Sequence, residues 1–283
     1  MSKPERAHTQ WLVASDLDGT LLDHFTYSHQ PADAALQHLE NANIPVILNS
    51  SKTRDEMLTL RGTLHNHHPF IVENGSAIFI PSGYFPQKPE SAQEESGYWV
   101  LEPGARRQSI LDFLAQDREH HGAPYLNFAA ASTDAIVAAT GLSHAQAEQA
   151  NSRHYSEPLL WQGTEQEKAA FINRVEAAGL ATLQGGRFLH VLGQTDKGHA
   201  TQLLQRIYQQ HSDHPCKLIG SGDGPNDLDM LKVADIAIIV RSPTHAPPTL
   251  EDHPFLAVTQ NTGPQGWADA IQKLLATEFK TAQ

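Results

Sequence analysis

Short apolar runs recur along this chain, and segments of helical periodicity separate them. The runs are Trp11–Ser15, "IPVILNS" (44–50), "FIVEN" (70–74), "CKLIGSGDG" (216–224) and "IAIIV" (236–240). Helical patterns occupy Pro31–Asn41, "TRDEMLTLRGTL" (53–64), "DKGHATQLLQRIYQQHS" (196–212), "NDLDMLKVA" (226–234) and "GWADAIQKLLATEF" (266–279). A strand that is apolar at successive positions is buried on both faces, and strand–helix–strand alternation demands parallel neighbours with helices on both sides. The expected fold is therefore α/β, with a Rossmann-like parallel-sheet core. Local signals agree. Pro31 suits a first helical turn, Thr53 and Glu56 make a capping box, and "GSAIFIP" is expected to turn back from the third strand.

The alternation stops near Gly83. A stretch rich in Pro, Gly, Ser and Glu leads to a strand at "YWVLEP" and an amphipathic helix at "ARRQSILDFLAQDREHHG". Two short alanine-rich helical pieces follow, then "YSEPLLWQG", a capped helix "TEQEKAAFINRVEAAG" and a strand pair "LATLQGGRFLHVLG". This order predicts an α+β cap domain, residues 83–190, inserted into a core made of 1–82 plus 191–283. The proline-rich "RSPTHAPPTLEDHP" (241–254) is expected as a surface loop. Trp99, Trp161 and Trp267 are expected in packing, and the "HNHH" and "EHHG" stretches as solvated loops.

The 283 residues are 40% hydrophobic and 18% charged, enough for two packed units, and the formal net charge is -12. That sign argues against nucleic acid or a membrane surface as partner. A small anionic phosphorylated substrate would need a local site that overturns the global field. The single cysteine, Cys216, offers no internal disulfide and is expected to be inert. "MSKPERAHTQ" lacks the apolar centre of a signal peptide, and no apolar run nears the roughly 20 residues of a membrane span. A cytoplasmic location is the expectation.

Asp16 and Asp18 close the first run, Asp223 closes "CKLIGSG", and Asp227 follows one turn later. In open parallel sheets, sites form beyond the carboxyl ends of the strands. If these strands are neighbours, the carboxylates converge and need a cation. An all-oxygen set favours Mg2+, which binds phosphate oxygens alongside one or two carboxylates. Phosphoryl transfer then follows, with a carboxylate able to act as nucleophile. Each piece alone has an ordinary reading, "DLD" as a cap and "GDGPND" as a tight turn. Both at strand ends, with a lysine opening a helix between them, point to a site.

"DLDGTLL", "VILNSSKT", "DKG" and "GDGPNDLDML" resemble, in order, the four motifs of the haloacid dehalogenase-like phosphatases, and the insert's position matches their C2-type cap. The resemblance implies that Asp16 attacks phosphorus and that Asp18 is general acid and then base. It implies that Ser50 bonds a phosphoryl oxygen and that Lys197 neutralises charge. Asp223, Asp16 and the Asp18 carbonyl would hold Mg2+, with Asn226 and Asp227 orienting that shell. "SSKTR", "ENG" (73–75), "GGRFLHVLGQTDKG" and "GPQGW" further resemble the mannosyl-3-phosphoglycerate phosphatase family, whose product is mannosylglycerate. The segment Ser50–Arg54 replaces the Thr-Gly-Arg common in capped sugar phosphatases, and Gly224 stands where some members carry serine. Substrate contacts are expected from Ser51, Lys52, Arg187 and His190, with Arg187 as a fork for a carboxylate or phosphate. The alternatives are a phosphatase for glucosyl-3-phosphoglycerate or another sugar phosphate, and a non-catalytic module that binds Mg2+ and phosphate.

Overall fold

The structure, a computed structural model, describes residues 9–277. The first eight residues, part of the stretch weighed as a signal peptide, and the last two positions of the expected closing helix lie outside that range. A nine-stranded sheet forms the core. Its strands, in chain order, are β1 (Gln10–Ser15), β2 (Val46–Asn49), β3 (Phe70–Val72), β4 (Ala77–Pro81), β5 (Gln93–Glu95) and β6 (Tyr98–Leu101). A second, four-stranded sheet holds β7 (Tyr125–Asn127), β8 (Ser156–Trp161), β9 (Ala181–Gly185) and β10 (Phe188–Leu192). The chain then returns to the large sheet with β11 (Cys216–Gly222), β12 (Ile236–Arg241) and β13 (Leu256–Thr262). The large sheet runs β13-β12-β11-β1-β2-β3-β4-β6-β5, and the small one β7-β8-β10-β9.

From β13 to β3 all pairings are parallel, while β4, β6 and β5 add an antiparallel edge. The continuous apolar runs have a direct cause. In β1, Val13 packs under the helices Asp33–Asn41, Arg54–Thr63 and Gly263–Thr277, whereas Leu12 and Ala14 pack under Lys197–Gln210 and Leu228–Val233. Both faces of the strand are thus dry. The capping box at Thr53 and Glu56 opens the second helix, and Trp267 is fully buried with its Nε1 donating to Ser221 Oγ.

Residues 93–101, expected within the insert, add strands to the edge of the large sheet. β5 and β6 pair with each other and with β4, so the Pro- and Gly-rich stretch after residue 82 is a loop of the large sheet's edge rather than the start of a separate unit. Hydrogen-bonded departure from that sheet falls after Leu101, and the return falls after Leu192. β5 has three exposed residues and β13 is exposed at six of seven positions. Edge strands of that kind carry no apolar run to announce them.

In the small sheet, Leu159, Leu189 and Val191 pack under the helices Arg107–His121 and Glu165–Ala177. Side chains alternate along a strand, so His190 and its neighbours of equal parity lie on the opposite face.

Candidate active site

The register puts Ser15 of β1 beside Leu48 of β2 on one side and Ser221 of β11 on the other. The loops after these three strands therefore leave the sheet side by side, carrying Asp16, Ser50 and Asp223. The Asp16 amide donates to the Ser221 carbonyl at 2.9 Å, tying two of them together. Gly19, at φ 82°, lets the first loop close on the third. A Cβ there would meet Asp223 Oδ2 at 2.5 Å.

Lys197 opens the helix Lys197–Gln210, whose N-cap Asp196 accepts from the His199 amide. Its side chain is fully buried, and its Nζ lies 2.5 Å from Asp16 Oδ1 and 2.7 Å from Asp227 Oδ1. The other oxygen of Asp227 accepts from the amides of Asp223 and Gly224, both at 3.0 Å. Asp227 thus fixes both the lysine and the third loop. Asn226 is half-buried in the same turn, its Oδ1 facing Gly224. Burial, and next the charge of Asp227, push the Asp16 carboxyl up to about 8 even though Lys197 pulls the other way. Burial and Asp227 likewise raise Asp223. Burial alone would lower the Lys197 ammonium, but Asp16 and Asp227 outweigh it and hold it above its ordinary value.

Oxygens of Asp16, Asp223 and Asp227 lie within 4.8 Å of one another. Three carboxyls crowd around one ammonium in a buried site, an excess of acid that a divalent ion would complement. The donors are all oxygens, which fits Mg2+. The Asp18 carboxylate is not in that group. Its Oδ2 pairs with Lys52 Nζ at 2.8 Å, and its Oδ1 is buried without a hydrogen-bond partner among the described residues.

The Ser50–Lys52 loop is braced along its carbonyls. Ser50 O accepts from the Asn74 amide and Lys52 O from the Glu73 amide, both at 3.0 Å. Ser51 O accepts from Arg153 Nη1 at 3.2 Å. Glu73, Asn74 and Gly75 all have positive φ, and a Cβ on Gly75 would sit 2.0 Å from the Asp196 carbonyl. Strain of this sort persists where the surroundings hold it. Here Glu73 accepts from the His154 and Tyr155 amides and from Ser156 Oγ, at 2.9, 3.3 and 2.6 Å, stitching the core to the insert.

The two insert residues singled out in the sequence part company. His190 is buried, and burial together with the Arg153 charge lowers it to about 3. Arg187 is exposed near the β9–β10 turn, its Nη2 donating to the Thr140 carbonyl at 3.1 Å. The structure adds residues that sequence reasoning passed over. Arg153 belongs to no periodic pattern. His245, in the loop read as surface, brings Nε2 to 3.4 Å from Asp223 Oδ2. Both are placed by contacts far along the chain, which no local signal announces.

Residues 13–94 match the haloacid dehalogenase-like hydrolase family. A protein of Methanococcoides burtonii, a glucosyl-3-phosphoglycerate/mannosyl-3-phosphoglycerate phosphatase, is 36% identical over 269 residues, covering 93% of this chain and 97% of the relative. Similar solved structures include a haloacid dehalogenase-like hydrolase from Bacteroides thetaiotaomicron, with TM-score 0.66, 17% identity and coverage of 94% and 99% of the two chains. A Synechocystis sucrose-phosphatase, solved with sucrose and phosphate, aligns with TM-score 0.61, 16% identity and coverage of 94% and 98%. These two likenesses concern the fold. With the sequence relationship they lead to one conclusion: the chain belongs to the haloacid dehalogenase-like hydrolases and is a phosphatase of the mannosyl-3-phosphoglycerate phosphatase family.

Proposed function

We propose that the chain is a Mg2+-dependent phosphomonoesterase that hydrolyses mannosyl-3-phosphoglycerate to mannosylglycerate and phosphate through a phosphoaspartate on Asp16. The observation that carries this reading is the contact of Lys197 Nζ with both Asp16 and Asp227, beside Asp223. A nucleophile, its counter-cation and a cradle for a divalent ion then share one point. The substrate choice draws support from the name of the Methanococcoides burtonii relative.

An oxygen of Asp16 attacks phosphorus while the bond to the leaving oxygen breaks, and Asp18 delivers a proton to that oxygen. Asp18 then takes a proton from water, the water oxygen attacks the phosphoaspartate, and phosphate leaves Asp16 as it was. Lys52, paired with Asp18, orients that carboxylate. Ser50 donates to a phosphoryl oxygen, and Lys197 offsets charge on Asp16 and on the transferring group. Asp16, Asp223 and the Asp18 carbonyl would hold Mg2+, with Asn226 and Asp227 shaping the loop around it. When bound, Mg2+ supplies charge neutralisation at the phosphoryl oxygens and makes the crowded acids tolerable at neutral pH. Ser51 and Lys52 face the phosphate side of the substrate.

A phosphate-release screen tests this, using mannosyl- and glucosyl-3-phosphoglycerate, hexose phosphates and p-nitrophenyl phosphate. The highest kcat/KM is expected on mannosyl-3-phosphoglycerate. A higher value on a hexose phosphate refutes the substrate. No release from any compound in the presence of Mg2+ refutes the chemistry and favours a module that only binds ion and phosphate.

A further inference from the structure

The proposed substrate carries two anionic groups, a phosphate and a carboxylate, on one three-carbon unit. The chain is strongly acidic, so the second anion needs its own buried cation. Lys197 is occupied by Asp16 and Asp227, and Lys52 by Asp18. Arg153 stands differently. It is buried where the insert touches the core, and its Nη1 reaches Ser51 O at 3.2 Å and Ser156 Oγ at 2.9 Å. Glu73 Oε2 forms an ion pair with that nitrogen at 3.7 Å without a hydrogen bond, and the Arg153 Nε is buried with no partner among the described residues. The guanidinium is therefore anchored through one nitrogen, beside the loop proposed to grip phosphate, with an edge still to be filled.

Two other buried groups in this region are unpaired in the same way. Among the described residues His190 Nδ1 has no hydrogen-bond partner, and neither amide atom of Asn74 has one, although the Asn74 backbone is bonded to Ser50. His190 lies on the face of the small sheet away from its two long helices. Ser156 shares that face by register, since Leu192 pairs with it, and Ser156 Oγ bonds Glu73 of the core. Buried polar atoms in native proteins nearly always find partners. A neutral imidazole, an amide and a guanidinium edge left open around one loop match a ligand that carries hydroxyls and a carboxylate.

We propose that Arg153, flanked by His190 and Asn74, recognises the carboxylate of the substrate's glycerate portion. This rests on the substrate reading above and names the residue that carries its selectivity. Arg187, exposed and capping the Thr140 carbonyl, is the rival.

The test is the kinetics of wild type, Arg153→Lys, His190→Ala and Arg187→Ala on two substrates, mannosyl-3-phosphoglycerate and p-nitrophenyl phosphate, with thermal melts as a check of folding. Lysine keeps the charge but loses the fork. Arg153→Lys is expected to lower kcat/KM for the carboxylate-bearing substrate by about 10–150-fold, the range of one charge-assisted hydrogen bond, and to change aryl phosphate hydrolysis far less. His190→Ala should show a smaller loss of the same selectivity, roughly 2–12-fold, and decides the matter if Arg153→Lys does not fold. Equal losses on both substrates, no loss on either, or a larger selective loss in Arg187→Ala overturns the inference and leaves the substrate reading standing. A wild type that prefers the aryl phosphate overturns the substrate reading, and the inference with it.

Discussion

Lys197 and Arg153 are both buried cations near the mouth of the large sheet, yet they are matched to opposite charge very differently. Lys197 faces carboxylates in excess: Asp16 and Asp227 in contact and Asp223 beside them. Arg153 has one carboxylate at arm's length and otherwise neutral partners, a carbonyl and a hydroxyl. The first cluster is short of positive charge and suits a metal ion and the work of bond-breaking. The second pairs its cation with a single carboxylate at 3.7 Å and leaves one guanidinium nitrogen unfilled, which suits an anion. Removing water from an active site makes such imbalance costly, and the cost is offset only when the missing partner arrives.

The largest effect should come from the first cluster. Asp16→Asn keeps the shape but removes the nucleophile, so turnover of any phosphomonoester should fall by at least about 10³-fold while the melt stays cooperative. Hydrolysis within tenfold of wild type would break the contrast at its root. Chelation comes next. It should stop activity and Mg2+ should restore it, and activity that survives exhaustive chelation would remove the need for an ion at this cluster.

The same cluster predicts a pH dependence of stability. Without an ion, burial and Asp227 hold Asp16 at about 8, above its ordinary 3.8. The folded state then binds the proton more tightly than the unfolded state does. That contribution is fully present below about pH 4 and is lost as pH rises towards 8. Metal-free protein should therefore lose stability across this window, and Mg2+ should flatten the slope. Melts that respond to pH identically with and without Mg2+ would refute it.

At the seam the effects are smaller and fall on stability. Glu73→Gln weakens three hydrogen bonds to the insert and should cost about 1–3 kcal/mol, with aryl phosphate turnover less affected than in Asp16→Asn. A loss of turnover matching Asp16→Asn would mean that the two clusters act as one. Thr53→Ala is the mildest change. Thr53 Oγ1 accepts from the Glu56 amide and donates to the Gln149 carbonyl of the insert at 2.8 Å. Losing the cap should cost about 1 kcal/mol, recovered in Thr53→Ser, and a Thr53→Ala melt equal to that of wild type would show that the seam does not depend on this residue.

The core was legible wherever burial on both faces produced an apolar run. β1, β2, β11 and β12 sit in the runs that name them, and Asp16, Ser50 and Asp223 follow directly from their ends. β5 and β13 were not legible, because an edge strand with solvent on one side needs no such run. The pairing of β5 and β6 with β4 was not legible for a related reason. Proline and glycine mark a loop, but they do not say whether the chain beyond it returns to the same sheet.

What the sequence determined by itself is the parallel core and the loops that bring Asp16, Ser50, Lys197 and Asp223 to one end of it. Each of those positions is set by local periodicity and by the strand or helix it terminates. Only the tertiary structure decided that Asp18 turns to Lys52 rather than joining the carboxylate group. It also decided that Asp227 shares Lys197 with Asp16, and that Arg153 rather than Arg187 lies buried against Ser51. Those outcomes depend on side chains from 30 to more than 180 positions apart competing for the same partners. Desolvation settles that competition once the chain has folded, and no spacing along a chain encodes it.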